Sequence, residues 1–154
     1  MTFIHWSTLI LLLPIAAASA QPENTSSVIE QRNKAIAAEF YNALWFSNNT
    51  DRYAEFFHDD YVVHDTGERK NVTEPSIEQK FIADFFHDNG VMTGEIDYQI
   101  ADGNLVATRW FWRLEPRSLM FKVMGGNNEI PIINVFRFDS DGKIVEIWNH
   151  RHDI

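Results

Sequence analysis

The most informative stretch of this chain is residues 135–148, VFRFDSDGKIVEIW. Apolar and polar side chains alternate on both sides of Asp141-Gly142, and an Asp-Gly pair between two alternating segments is a strong signal for a β-hairpin. Asp102-Gly103-Asn104 separates two further alternating segments in the same way. The C-terminal half therefore predicts strands over residues 95–101, 105–115, 130–138 and 144–151.

The N-terminal half is predicted to be mainly helical. Apolar residues recur at helical spacing in residues 28–46, with Ser26 or Ser27 as the cap. A second helix over residues 51–57, a strand over residues 61–65 and a third helix from Glu74-Pro75 to Asn89-Gly90 follow. Helices followed by a run of antiparallel strands indicate an α+β fold, with the helices on one face of a bent sheet.

Two other segments have a less regular pattern. The polar stretch after Thr66-Gly67 predicts a loop. Residues 119–124 are apolar and predict one arm of a hairpin, with an apolar loop as the alternative.

Composition limits the classes of function. The chain has 154 residues, a net charge of −9 and no cysteine, so nucleic-acid binding, disulfides and thiol chemistry are not expected. Hydrophobic residues make up 45% of the chain and aromatic residues 14%, which is enough for one core and a cavity beside it.

The first twenty residues contain no Asp, Glu, Lys or Arg. Residues 1–20 therefore predict a signal peptide, which ends at Ala18-Ser19-Ala20 and implies a secreted or periplasmic protein without a membrane span after cleavage. An uncleaved anchor is the alternative. Residues 21–27 predict a linker and residues 28–154 the domain. In a eukaryotic source, Asn24, Asn48 and Asn71 would be candidate glycosylation sites.

Three polar side chains stand out in apolar surroundings. Asp65 ends an apolar strand, so it is either a buried carboxylate with a raised pKa that acts as a base, or the first residue of a turn. Tyr41 on the first helix is either a core tyrosine or a site residue. Asn134 interrupts an apolar strand and needs hydrogen-bond partners there. Alternation places His64 on the opposite strand face from Asp65, which is expected to point inward.

Aromatic side chains are expected to form the walls of the pocket. Trp110 and Trp112 share one face of their strand, and Arg109 and Arg113 share the other, where they are expected to meet acidic residues. His150, His152 and Asp153 only weakly suggest a metal site, and no metal site is predicted. The side chains predicted to contact a ligand are Trp45, Tyr61, Trp110, Trp112, Phe136, Trp148 and His150.

Residues 61–65, YVVHD, together with residues 135–148 resemble the NTF2-like superfamily, especially its SnoaL-like branch. The similarity extends from about Val28 to the C-terminus. It implies a cone-shaped fold, in which three N-terminal helices pack on a strongly curved, mainly antiparallel sheet and enclose a pocket. It also implies a homodimer. The resemblance does not fix an activity, because such proteins include cyclases, isomerases, epoxide hydrolases, dehydratases and proteins that only bind or dimerise.

The resemblance to ketosteroid isomerases implies roles for the three polar residues. Tyr41 corresponds to a tyrosine on the first helix, Asp65 to the base, and Asn134 to a second acid. Asn134 cannot hold a proton as an acid does, but its amide can donate a hydrogen bond to an enolate oxygen. SnoaL-like cyclases have an acidic residue near the end of the last strand, where Asn149 and His150 stand here.

Two hypotheses of function follow. The first is a cofactor-independent acid/base enzyme, an isomerase, cyclase or lyase acting next to a carbonyl on a small apolar substrate, with Asp65 as base, Tyr41 and Asn134 at the oxyanion, and His64 or His150 as a proton relay. The second is a domain that only binds a ligand or dimerises. Epoxide hydrolysis would need an Arg between two Asp residues, and the predicted strands offer no such set.

Overall fold

The computed structural model describes residues 25–66, 69–123 and 129–151, without the side chains of Thr25, Asp65, Thr66, Val123 and Arg151. The predicted signal peptide, Asn24, His152 and Asp153 lie outside the described residues. The helical elements are α1 (Thr25–Phe40), a π-helical segment (Tyr41–Phe46), a 3-10 turn (Thr50–Arg52), α2 (Tyr53–Phe56), α3 (Ile77–Asn89) and α4 (Leu119–Val123). The strands are β1 (Phe57–Thr66), β2 (Arg69–Pro75), β3 (Gly90–Asp102), β4 (Leu105–Pro116), β5 (Ile130–Phe138) and β6 (Ile144–Arg151).

The strands form one curved, open sheet in the order β2-β1-β6-β5-β4-β3. Strands β1 and β6 pair in parallel, and every other neighbouring pair is antiparallel. The predicted α+β fold, with helices packed on a curved sheet, is confirmed. No helix among the described residues is long and apolar enough to cross a membrane.

Aromatic side chains join the helices to the sheet. Phe40 near the end of α1 lies 5.4 Å from Phe57 on β1 and 5.6 Å from Phe136 on β5, measured between ring centroids. Both contacts have the edge-to-face geometry that aromatic pairs prefer. They fix the C-terminal end of α1 over the middle of the sheet.

The first helix departs from α-helical geometry at Tyr41, where the π-helical segment begins. Such segments are rare and occur frequently at functional sites. A nitrogen of the His87 ring lies 2.7 Å from the backbone oxygen of Leu44 in this segment.

The first helix begins at Thr25, earlier than the predicted start at residue 28. Ser26 was a predicted cap, but its hydroxyl donates to the Glu30 carboxylate.

Two segments differ from their predictions. The stretch predicted to be a loop contains β2, which pairs antiparallel with β1 over Asp60 to Thr66. The prediction of a loop was wrong because it relied on polar side chains. Strand β2 lies at the edge of the sheet, and edge strands are commonly polar. Residues 119–124 were predicted to be a hairpin arm, but Leu119–Val123 forms the short helix α4. The ring of Phe121 in α4 packs 5.8 Å from the ring of Phe85 in α3, between centroids. The apolar residues of this segment therefore pack on α3 as a helix rather than pairing as a strand.

Gly94 on β3 allows a close approach between the sheet and the π-helical segment. A methyl group at this position would meet the ring of Phe46 and lie 2.5 Å from the backbone oxygen of Phe111.

Gly94→Ala is therefore expected to destabilise the protein by about 1–3 kcal/mol, as overpacking does in other cores. Urea unfolding measures this. Gly103→Asn is the control, since Gly103 has φ +58 and open space around it, and Asn tolerates this conformation. Equal stability of both variants would contradict this prediction.

Candidate functional site

A cavity of about 190 Å³ lies between the helical elements and the sheet face on which they pack. Its walls come from the end of α1, the π-helical segment, α3 and strands β4, β5 and β6. The lining side chains are mainly aromatic or aliphatic, with three carboxamides among them. They are Phe40, Tyr41, Trp45, Gln79, Ile82, Phe86, Trp110, Trp112, Ile132, Asn134, Phe136, Ile147 and Asn149.

A buried hydrogen-bond network is centred on Asn134. Tyr41 donates its hydroxyl proton to Asn134 Oδ1 over 2.8 Å, and the indole Nε1 of Trp110 donates to the same oxygen over 2.7 Å. Asn134 in turn donates from Nδ2 to the side-chain oxygen of Asn149. Four side chains from the first helix and three adjacent strands are thereby held together at the cavity wall.

Burial and strand register explain this convergence. Tyr41 is fully buried and Asn134 is 5% exposed, so both require internal partners. Asn134 faces Asn149 directly in the pairing of β5 with β6. Tyr41 reaches the pair because the π-helical segment begins at this residue, and its ring packs 4.8 Å from Trp110.

Tyr61 belongs to a second polar cluster beside the cavity. Its hydroxyl donates to Glu74 Oε2 over 2.8 Å and accepts from Gln79 Nε2 over 2.7 Å. Gln79 lines the cavity, whereas Tyr61 itself does not contribute to the lining. Tyr61 therefore lies behind Gln79, and its predicted contact with a ligand stays a prediction.

Four of the predicted ligand-contacting aromatics line the cavity together. Trp45 packs 5.8 Å from Trp110, and Phe136 packs 5.8 Å from Tyr41. Trp112 lies beside Phe86, and its Nε1 donates to Met92 Sδ over 3.3 Å. The predicted separation of the two faces of β4 is also observed, since Arg109 pairs with Asp97 and Arg113 with Glu129.

His64, Trp148 and His150 are not among the lining residues. The rings of His64 and Trp148 stack in parallel at 4.1 Å, and the His64 nitrogens lie 2.8 Å from Asn71 Oδ1 and 2.7 Å from Glu146 Oε2. Ile147 lines the cavity, so alternation along β6 puts its neighbour Trp148, and with it His150, on the opposite sheet face. The structure thus separates these three residues from Tyr41 and Asn134.

Asp65 belongs to β1 by its backbone, but its side chain lies outside the described part of the structure. Tyr61 and Val63, four and two residues before it, are buried. Its predicted role as the base stays a prediction.

Gln79 and Asn149 line the cavity but were not predicted to belong to the site. Each carried a detectable signal. Gln79 lies three residues before Ile82, on the same side of α3. Asn149 lies two residues after Ile147, on the same face of β6.

The described cavity wall carries no charged side chain and no histidine. Among the described residues there is also no group of three His, Asp or Glu side chains that could hold a metal ion. Polar contacts offered by this wall come from neutral amides and the Tyr41 hydroxyl.

Comparison with known proteins identifies relatives of this fold. Residues 37–147 match the family model described as the SnoaL-like domain. A search of the curated proteins found no match.

Several solved structures are similar in fold. A proposed polyketide cyclase from Acidithiobacillus ferrooxidans has a TM-score of 0.64 at 18% identity, covering 79% of this chain and 89% of that chain. An LEH-like epoxide hydrolase from M. tuberculosis has a TM-score of 0.62 at 19% identity, covering 79% and 84%. A proposed ketosteroid isomerase from Kribbella flavida has a TM-score of 0.62 at 12% identity, covering 81% of each chain. At these identities the likeness shows the fold, and it confirms the expected NTF2-like architecture.

The Asn134 network predicts a graded effect on stability. Asn134→Leu leaves the buried donors of Tyr41 and Trp110 without an acceptor, so we expect a loss of at least about 2 kcal/mol. Tyr41→Phe removes one donor while Trp110 still satisfies Asn134 Oδ1, so a loss of about 1 kcal/mol is expected. Chemical denaturation of both variants measures this. The proposed network would be wrong if Tyr41→Phe cost as much as Asn134→Leu.

Burial also predicts a loss of stability in alkali. It raises the pKa of Tyr41 well above its ordinary value. In the unfolded chain a tyrosine ionises near pH ~10, whereas folded Tyr41 keeps its proton, so this contribution is complete below pH ~10 and is lost as the pH rises further. Urea unfolding at pH values from about 9 to about 11 should show a smaller alkaline loss of stability in Tyr41→Phe than in wild type. The same loss in both proteins would contradict the assignment.

Proposed function

Because this chain belongs to the SnoaL-like domain family of the NTF2-like superfamily, we propose that it is a pocket enzyme that removes a proton next to a carbonyl group of a small, neutral substrate. Isomerisation, ring closure and elimination all begin with this step. The observation that carries the proposal is Asn134, a buried amide that lies between two apolar residues of β5 and lines the cavity.

Asn134 is suited to stabilise an enolate oxygen. Its Oδ1 accepts two hydrogen bonds, from Tyr41 and Trp110, which fixes the amide plane. One N–H of Nδ2 goes to Asn149, and the other is the donor proposed for the ligand oxygen. A preorganised donor in a largely apolar cavity stabilises developing negative charge without having to reorient.

Tyr41 acts through Asn134 in this proposal. Its hydroxyl proton is donated to Asn134 Oδ1, so it polarises and orients the amide. A tyrosine hydroxyl is protonated at neutral pH, and burial raises the pKa of Tyr41 further, so this hydroxyl is a donor. Tyr41 is therefore a positioning residue, and the direct contact with the developing oxygen is assigned to Asn134.

Asp65 is the proposed base. It follows the buried Tyr61 and Val63 at two-residue spacing on β1, and alternation supports an inward direction. A carboxylate in apolar surroundings has a raised pKa and becomes a usable base near neutral pH. His64 and His150 receive no role in proton transfer, because the described part of the structure separates them from the cavity.

A non-catalytic binding protein is the second candidate, favoured by the absence of a charged side chain from the described cavity wall.

We also propose that the outer face of the sheet forms a homodimer. Tyr98, Ile100 and Ile133 expose 48%, 63% and 40% of their surface on this face. Exposed apolar patches on soluble proteins commonly mark interfaces.

Asp65→Asn tests the mechanism. We expect wild type to accelerate deuterium exchange from D₂O into the α-carbon of 1-indanone, followed by NMR, and Asp65→Asn to be slower by about 10²-fold or more, because a positioned base contributes that much. Asp60→Asn, an exposed position on the same strand, is the matched control and should exchange as wild type does.

An unchanged rate in Asp65→Asn would remove Asp65 from the mechanism. Exchange by wild type no faster than in buffer, with 1-indanone bound, would favour the binding protein instead.

A further inference from the structure

The indole of Trp110 fixes the polarity of the amide pair at the cavity wall. An indole N–H can only donate a hydrogen bond, so the Asn134 atom 2.7 Å from Trp110 Nε1 must be the oxygen. Asn134 therefore presents its NH₂ group to Asn149. The Asn149 atom that receives this bond must be an acceptor, namely Oδ1.

This chain of donors leaves the NH₂ group of Asn149 available. Asn149 lines the cavity and is exposed at its wall, and its Nδ2 makes no hydrogen bond within the described ranges. Each bond in the chain from Trp110 and Tyr41 through Asn134 to Asn149 runs in one direction. Asn134 and Asn149 therefore present N–H donors to the cavity, and a hydrogen-bond acceptor on the ligand would accept from them.

The volume of the cavity limits the size of that ligand. An apolar cavity of about 150 Å³ is large enough for benzene. The cavity of about 190 Å³ with aromatic walls therefore accommodates one ring or two fused rings. A charged ligand would lack a counter-charge on the described wall.

We infer that this site selects a neutral ligand of one or two rings that carries a carbonyl oxygen, and that Asn149 is the specificity-determining residue that donates to this oxygen. The inference rests on the proposed function only in taking this cavity as the ligand site. It adds a second donor, contributed by the last strand, to the one proposed for Asn134.

Paired probes test the assignment. 1-Indanone and indane have the same ring skeleton, and only the ketone has an acceptor oxygen. By titration calorimetry, wild type is expected to bind 1-indanone about tenfold more tightly than indane, which corresponds to about 1.4 kcal/mol for the hydrogen bonding of its oxygen. Asn149→Leu should lose most of this ratio and still bind indane. His150→Ala, the next residue on β6 but on the opposite face, is the control and should keep the ratio.

Asn134→Asp provides an independent variant. A carboxylate at this position can only accept, so Asn149 must turn its NH₂ group towards it and present Oδ1 to the ligand. We expect the preference for 1-indanone to disappear while indane still binds. Circular dichroism shows whether each variant is folded.

Three results separate this inference from the proposed function. Equal affinities of wild type for the two probes, or a tenfold ratio retained in folded Asn149→Leu, would overturn the role of Asn149. A retained ratio without any deuterium exchange by wild type would reject the enzyme and support Asn149 as the binding determinant.

Discussion

The buried amide of Asn134 imposes the constraint on which the rest of this site depends. A carboxamide that is 5% exposed must have its hydrogen-bonding groups satisfied within the protein, or its burial is costly. Tyr41, Trp110 and Asn149 meet this requirement from three different elements. The helix, strand β4 and strand β6 are therefore positioned relative to β5 by directional bonds as well as by apolar packing.

The geometry of the first helix serves the same constraint. The change to a π-helical segment at Tyr41 occurs where the tyrosine hydroxyl meets Asn134. Gly94 lets the ring of Phe46 approach the sheet at the other end of this segment. Phe40 and its aromatic partners hold the preceding turn. Local irregularity in the helix and close packing on the sheet together define one wall of the cavity.

Periodic patterns made most of the fold predictable from sequence. The Asp141-Gly142 turn and its alternating flanks gave β5 and β6 with their observed ends, because a half-buried hairpin has a strong period of two. The edge strand β2 could not be found this way. It is held to β1 by backbone hydrogen bonds, and its mostly polar side chains show no alternation of apolar and polar residues. For the site, alternation separated His64 from the cavity side of β1. Alternation alone does not tell which face of β6 points inward, so the position of Trp148 could not be predicted from it. The donor role proposed for Asn149 depends on the direction of a hydrogen bond, which only the structure gives.

The parallel pairing of β1 with β6 has a consequence for the order of assembly. Strands β1 and β2 form one local hairpin, and β3 to β6 form a separate run of neighbours, so the two parts join only through contacts between residues far apart in the chain. Contacts of long sequence separation form slowly. Strand β1 therefore keeps an open edge until β6 pairs with it, and β6 also carries Asn149, so the cavity wall is complete only once this long-range pairing has formed.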